Sequence, residues 1–219
     1  MCVPTGGSSS TSALRVGATV SELDVNRWLL KAAESLKTLP RDEIGVTEVA
    51  SPCLRKSYYL RTRTSPPSPA EFLKALGNEV HLKLAEVLRS EGCDVEVSVG
   101  LQLDGFKLRG RVDALCPERD SEVVIEFKSV NELPEEPYQT HVLQVQAYLL
   151  MLKLERGYLV YLSRNSGRVR VFRVGRDGRA LKQLVERARQ YHKALVEQRP
   201  PPPERGPWCS GCPYAFSCR

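Results

Sequence analysis

Hydrophobic spacing along the chain changes period several times, and each change marks an element. Leu23, Trp28, Leu29, Ala32, Ala33 and Leu36 recur at helical spacing behind Ser21, a suitable N-cap, and ahead of Pro40. That predicts a helix over 21–39. Thr47 caps a second short helix that carries Cys53 and the Tyr58–Tyr59 pair, and residues 62–69 are too rich in proline and serine for helix. From 69 to about 90, Phe72, Leu76, Val80, Leu84 and Val87 or Leu88 form one apolar stripe. At Val95 the period becomes two: Val95, Val97, Val99 and Leu101 alternate with polar residues, and Asp104-Gly105 suits a type I′ hairpin. Strands over 107–115 and 121–130 complete an antiparallel meander. A helix follows over 137–154, then strands 158–163 and 168–174 joined at Asn165-Ser166-Gly167. Asp177 caps a long basic helix reaching about 198, where Pro200 to Pro203 stop it. This order describes a mixed α/β domain with a small cysteine-bearing appendage.

Length and composition narrow the class. The chain has 219 residues, enough for a full core, with 42% hydrophobic and 26% charged residues, as in ordinary globular proteins. No apolar run approaches the roughly 20 residues that span a bilayer. The Ser/Gly/Thr-rich stretch 1–17 lacks the basic and apolar regions of a signal peptide and reads as a flexible tail. The expectation is a soluble cytoplasmic protein. Seven cysteines in a reducing compartment point to metal ligation and not to a disulfide framework. A net charge of +6 is compatible with nucleic-acid binding and demonstrates none.

The candidate chemistry lies in Val123-Val124-Ile125-Glu126-Phe127-Lys128. Alternation in a strand sends Val123, Ile125 and Phe127 to one side and Glu126 with Lys128 to the other. A carboxylate and an ammonium in an apolar strand cost desolvation energy unless they pair or serve a metal. Both readings stand for this segment alone. Asp113, near the end of Gly110-Arg111-Val112-Asp113, lies on the strand expected to pair with it, and Gly110 permits a close approach by backbone or ligand. Two carboxylates converging from neighbouring strands suit Mg²⁺ or Mn²⁺, and Lys128 can orient a water or offset charge on a phosphate.

The pattern Asp113…Glu126-Phe127-Lys128 resembles the PD-(D/E)xK nuclease superfamily. Its RecB-like exonuclease branch adds a histidine on the upstream helix, here His81, and a Q-x-x-x-Y motif, here Gln144 and Tyr148 on one helix face. The resemblance implies a restriction-endonuclease-like α/β core, a mixed sheet flanked by helices. It also implies a metal held by His81, Asp113, Glu126 and the Phe127 carbonyl, with Lys128 positioning the nucleophile. Gln144 and Tyr148 would position the lysine or the DNA. Arg55, Arg61, Arg63, Arg109 and Arg111 are candidate phosphate contacts, although each alone reads equally as a solvated charge.

Cys209, Cys212 and Cys218 supply three thiols within a segment that cannot bury a core, so a metal is its expected organiser. Cys53, beside Arg55 and Lys56, is the candidate fourth ligand. Cys93 and Cys116 read as small free thiols beside strands, and Cys2 lies in the tail. Four cysteines also suit structural zinc. One early and three late cysteines resemble the iron–sulfur subgroup of RecB-like nucleases, and a free-standing chain of this length is similar to the CRISPR-associated Cas4 family. That resemblance implies a [4Fe–4S] cluster, with [2Fe–2S] left open by the ligands. It implies an appendage built from both chain ends, and the divisions 1–17 tail, 18–68 helical region, 69–199 nuclease core and 200–219 cluster segment. The implied activity is a metal-dependent exonuclease, 5′ to 3′ on single-stranded DNA, that processes ends for spacer acquisition with the CRISPR adaptation integrase as partner. The alternatives are a DNA-end-binding scaffold, a general repair nuclease, and a zinc-stabilised regulator in which Glu126 and Lys128 are only an ion pair.

Overall fold

The computed structural model describes residues 40, 42–62, 84–119 and 121–218. The expected helix over 21–39, most of the apolar stripe beginning at 69, His81 and Arg63 lie outside them.

Six strands form one mixed sheet. Strand β1 (Glu43–Gly45) leads directly into helix α1 (Val46–Ala50), and α2 spans Leu54–Thr62. Where one helix carrying Cys53 was expected there are two, with Cys53 between them. Pro52 lacks an amide proton and disfavours helix at the residue before it, so the chain breaks at Ser51-Pro52. The first helix is capped at Gly45, not Thr47, and the Glu48 carboxylate accepts from the Gly45 amide at 2.7 Å.

Residues 84–90 are helical. The meander then follows as β2 (Asp94–Leu103), β3 (Phe106–Glu118) and β4 (Ser121–Val130), all antiparallel. Of the two turn residues Asp104 and Gly105 only the glycine has positive φ, 81°, so the turn is not type I′, which needs both. Helix α3 (Gln139–Leu152) crosses over to β5 (Arg156–Ser163), which lies parallel to β4. The edge strand β6 (Val169–Gly175) is antiparallel to β5. Asp177 accepts the Arg179 amide at 2.8 Å and caps α4 (Gly178–Val196), whose buried Leu181, Leu184, Ala188, Tyr191 and Leu195 keep the helical period.

The main core lies between the sheet and the four helices. A smaller cluster of Cys93, Ala114, Cys116 and Val123 occupies the other face, with Leu88 packed on it. Strand β3 carries the unusual feature. On one edge β2 runs almost its whole length. On the other, β1 pairs with Lys107, Leu108 and Arg109, and β4 pairs only from Ala114 onward. Residues 110–113 therefore face a gap between two neighbours.

Side-chain alternation also breaks there. Val97 and Val112 pack into the main core, whereas Val95 and Ala114 belong with the other face. The single-face stripe expected for β2 fails at Glu96, whose φ is 54°. A non-glycine residue in that region costs energy and marks a position that the surroundings over-determine.

Cys93 and Cys116, expected to be free, form a disulfide. The register explains it: Asp94 pairs with Leu115, so the next position outward sets Cys93 opposite Cys116, with Cα atoms 4.3 Å apart. That is the spacing of a non-hydrogen-bonded antiparallel pair, about 4.5 Å.

Candidate active site

The gap in the sheet is lined by groups that replace the missing ladder. Just beyond the last β3–β4 pair, Ala114 with Ile125, the Asp113 carboxylate accepts the Phe127 amide at 2.8 Å. The Arg111 carbonyl accepts the Tyr148 hydroxyl at 2.9 Å. Backbone groups left without a strand partner are thus satisfied by side chains. Gly110 makes room for this: a Cβ there would lie 2.5 Å from the Tyr148 ring. The close approach anticipated at Gly110 is made by a side chain.

Glu126 is 2% exposed, and both of its neighbours in the network bind one oxygen. Lys128 Nζ donates to Glu126 Oε1 at 2.6 Å, and Gln144 Nε2 donates to the same atom at 2.7 Å. Lys128 also donates to Gln144 Oε1 at 2.9 Å, and Gln144 Nε2 donates to the Tyr148 hydroxyl at 2.9 Å. An ammonium only donates, so the amide orientation follows: oxygen to Lys128, nitrogen to Glu126 and Tyr148. Tyr148 is 1% exposed, and burial first, then the Glu126 charge, hold its hydroxyl protonated well above the ordinary tyrosine range. Its proton is therefore available to Arg111. Gln144 and Tyr148 act on Lys128, Glu126 and the β3 backbone.

The arginines are engaged with protein acceptors. Arg61 has an 8% exposed side chain, donates to Glu48 at 3.0 Å and to the carbonyl of Glu43 at 2.8 Å, and is enclosed by the fold. Arg55 donates to the Pro201 carbonyl at 2.7 Å. Arg109 pairs with Glu43 at 2.6 Å and Arg111 with Glu96 at 2.7 Å, both at the surface.

Sequence reasoning passed over three aromatic residues. Tyr161 pairs with Lys128 across the parallel strands. Its hydroxyl accepts the Tyr138 amide at 3.1 Å and lies 2.8 Å from His141 Nδ1. Burial first, then the Lys128 charge, lower the His141 pKa to about 4 and keep the imidazole neutral. The available signal was its spacing: His141 precedes Gln144 by three and shares its helix face.

Cys53, Cys209, Cys212 and Cys218 all line one cavity of about 310 Å³, with Lys56, Trp208 and Tyr214. Among the described residues no three His, Cys, Asp or Glu side chains lie close enough together to hold a single ion. The two carboxylates Asp113 and Glu126 with the Phe127 carbonyl form a set of hard oxygen donors, which fits Mg²⁺ or Mn²⁺. Among the described residues no helix is long and apolar enough to cross a membrane.

Comparison with known proteins identifies the family and the fold. The sequence model of the PD-(D/E)XK nuclease superfamily matches residues 28–219. A CRISPR-associated exonuclease Cas4 from Saccharolobus solfataricus is 32% identical over 94 residues, 40% of this chain. The match spans 46% of that relative, about half its length. The crystal structure of SSO0001 superposes with a TM-score of 0.65 at 24% identity, over 89% of this chain and 94% of its own. The alkaline exonuclease LHK-Exo of Laribacter hongkongensis, in complex with dAMP, gives a TM-score of 0.50 at 15% identity, over 72% and 90%. Both structural likenesses concern the fold.

Proposed function

The chain belongs to the PD-(D/E)XK nuclease superfamily, and on that premise we propose that it is a divalent-metal-dependent DNA exonuclease. The observation that carries the reading is the buried Glu126–Lys128–Gln144 network set beside Asp113 at the break in the sheet. A buried ion pair is weak evidence for stability, since desolvation offsets its attraction. An ordinary structural pair would need neither the gap nor the second carboxylate.

In this reading Asp113, Glu126 and the Phe127 carbonyl hold Mg²⁺ or Mn²⁺, with His81 as a further ligand. When bound, the ion supplies positive charge to the phosphate undergoing attack. Two of the three Lys128 protons are committed to Glu126 and Gln144, which fixes the ammonium. The third is left to orient a water or contact a phosphate oxygen. Tyr148 and Gln144 keep that geometry from the Arg111 backbone inward.

The finer reading is an exonuclease of the Cas4 kind, acting 5′ to 3′ on single-stranded DNA during spacer acquisition, with the adaptation integrase as partner. It is supported by the similarity to the Saccharolobus relative and by the four cysteines around one cavity. An iron–sulfur cluster is favoured over zinc here by the resemblance to the Cas4 family, since four cysteines suit either. The cluster would bind Cys53 to the carboxy-terminal cysteines.

The test is degradation of end-labelled single-stranded DNA with Mn²⁺ by the native protein and by Asp113→Ala. Cleavage by the native protein, reduced to background in the variant, is expected, and the labelled end reports polarity. Intact DNA with both proteins, despite tight binding, would replace this reading with an end-binding scaffold.

A further inference from the structure

Three aromatic rings stand beside Lys128 at the start of α3. Tyr161 is buried in the sheet next to the lysine, one strand spacing away. His141 lies over it with ring centroids 5.6 Å apart, and Tyr138 meets both rings edge-on, at 5.5 Å from His141 and 5.9 Å from Tyr161. The Tyr161 hydroxyl accepts from the Tyr138 backbone and shares a hydrogen bond of 2.8 Å with His141 Nδ1.

Two of these rings are thus spent on support. Tyr138 is 49% exposed as a residue, although its amide is bonded and its ring meets two others edge-on. The approach to it is also braced: Ser163 donates to the Asn131 carbonyl at 2.9 Å, and Arg170 to the Pro134 carbonyl at 2.7 Å. An aromatic ring immobilised beforehand loses little entropy when a second flat ring covers it.

We propose that Tyr138, steadied by His141 and Tyr161, is a stacking subsite for an unpaired base of the nucleotide flanking the phosphate held at Lys128. The proposal rests on the nuclease reading and deepens it by naming how the strand is placed. Exposed Glu135 and Glu136 precede Tyr138, so charge does not draw the backbone to this loop, and the contact is one of ring on ring. Stacking of this kind accepts any base and requires one freed from a duplex.

The experiment uses single-stranded oligonucleotides in which one abasic site is moved along the strand, with native protein, Tyr138→Ala and Tyr138→Phe. At one position the abasic site should raise the native KM about tenfold, the size of one base–aromatic stack. Tyr138→Ala should show that loss on the intact strand and no further loss with the abasic one, while Tyr138→Phe stays near native. A parallel series carries 2-aminopurine at the same position and reads stacking by fluorescence on binding, without cleavage. If native protein cleaves and Tyr138→Ala matches it on every strand, the subsite is overturned. If nothing is cleaved yet quenching is lost only in Tyr138→Ala, the subsite stands and the nuclease reading falls.

Discussion

At the scale of single residues, the site is a set of groups whose roles follow from what each can donate or accept. Asp113, Glu126 and Lys128 were legible because strand alternation alone puts the last two on one side. His141 was not, because its environment comes from Tyr161 on another strand and Tyr138 one turn earlier. Its lowered pKa, about 4 against an ordinary 6.5, has a consequence for stability. Between these values the unfolded chain takes up a proton that the folded protein refuses. Stability is therefore full above pH 6.5 and declines toward pH 4, by about 3 kcal/mol in all. Among the described residues the imidazole meets the Tyr138 and Tyr161 rings and the charge of Lys128. A series of melting temperatures from pH 7 to 4 should fall more steeply for native protein than for His141→Gln. Parallel curves would show that another group controls the acid limb.

At the scale of elements, most of the described chain was readable from period and punctuation. Strand β4, the β5–β6 hairpin and the Asp177-capped helix lie where alternation and capping put them, give or take two residues. The exceptions have local causes. The three residues of β1 are too few for any pattern, and they are strand only because β3 offers an unpaired edge. The face reversal at Glu96 and Asp113 cannot be seen in a list of alternating valines, since both sides of the reversal still alternate. The disulfide was hidden by the premise of a reducing compartment, although the hairpin register already sets Cys93 opposite Cys116. It pins β2 to β3 next to the reversal. Chain-entropy arguments assign a closed loop of this size about 3 kcal/mol. Cys93→Ser should unfold at correspondingly lower denaturant than the oxidised native protein, and reductant should bring the native protein to the same midpoint. An unchanged midpoint under reductant would mean that the pair is not closed in solution.

At the scale of the molecule, α4 and the carboxy-terminal segment hold α1 and α2 in place. Arg187 on α4 donates to the carbonyls of Val49, at 2.9 Å, and Ser51, at 2.6 Å, and pairs with Glu204. Glu204 also accepts the Leu54 amide at 2.6 Å. The Tyr59 ring packs on Tyr214 at 5.4 Å. This clamp brings Cys53 to Cys209, Cys212 and Cys218. Arg187→Ala takes one donor from the Glu204 carboxylate, which keeps the Leu54 amide, and from two carbonyls, a loss of about 2 kcal/mol. The variant should melt lower and, with the cluster proposed for the cysteine cavity, be purified with less iron and acid-labile sulfide than native protein. Equal iron content would detach the cysteine cavity from the clamp.

The sequence by itself determined where most of the described helices and strands run, that Glu126 and Lys128 share a strand face, and which cysteines are close along the chain. These are local properties, set by period, capping and proline. Tertiary structure alone decided that β1 and β4 stop short of each other along β3, that Tyr148 closes the opening from Gly110 to Arg111, and that Tyr161 supports His141. Each of those depends on groups far apart in the chain meeting at one gap in a hydrogen-bonded sheet, where every backbone group left without a strand must find another partner.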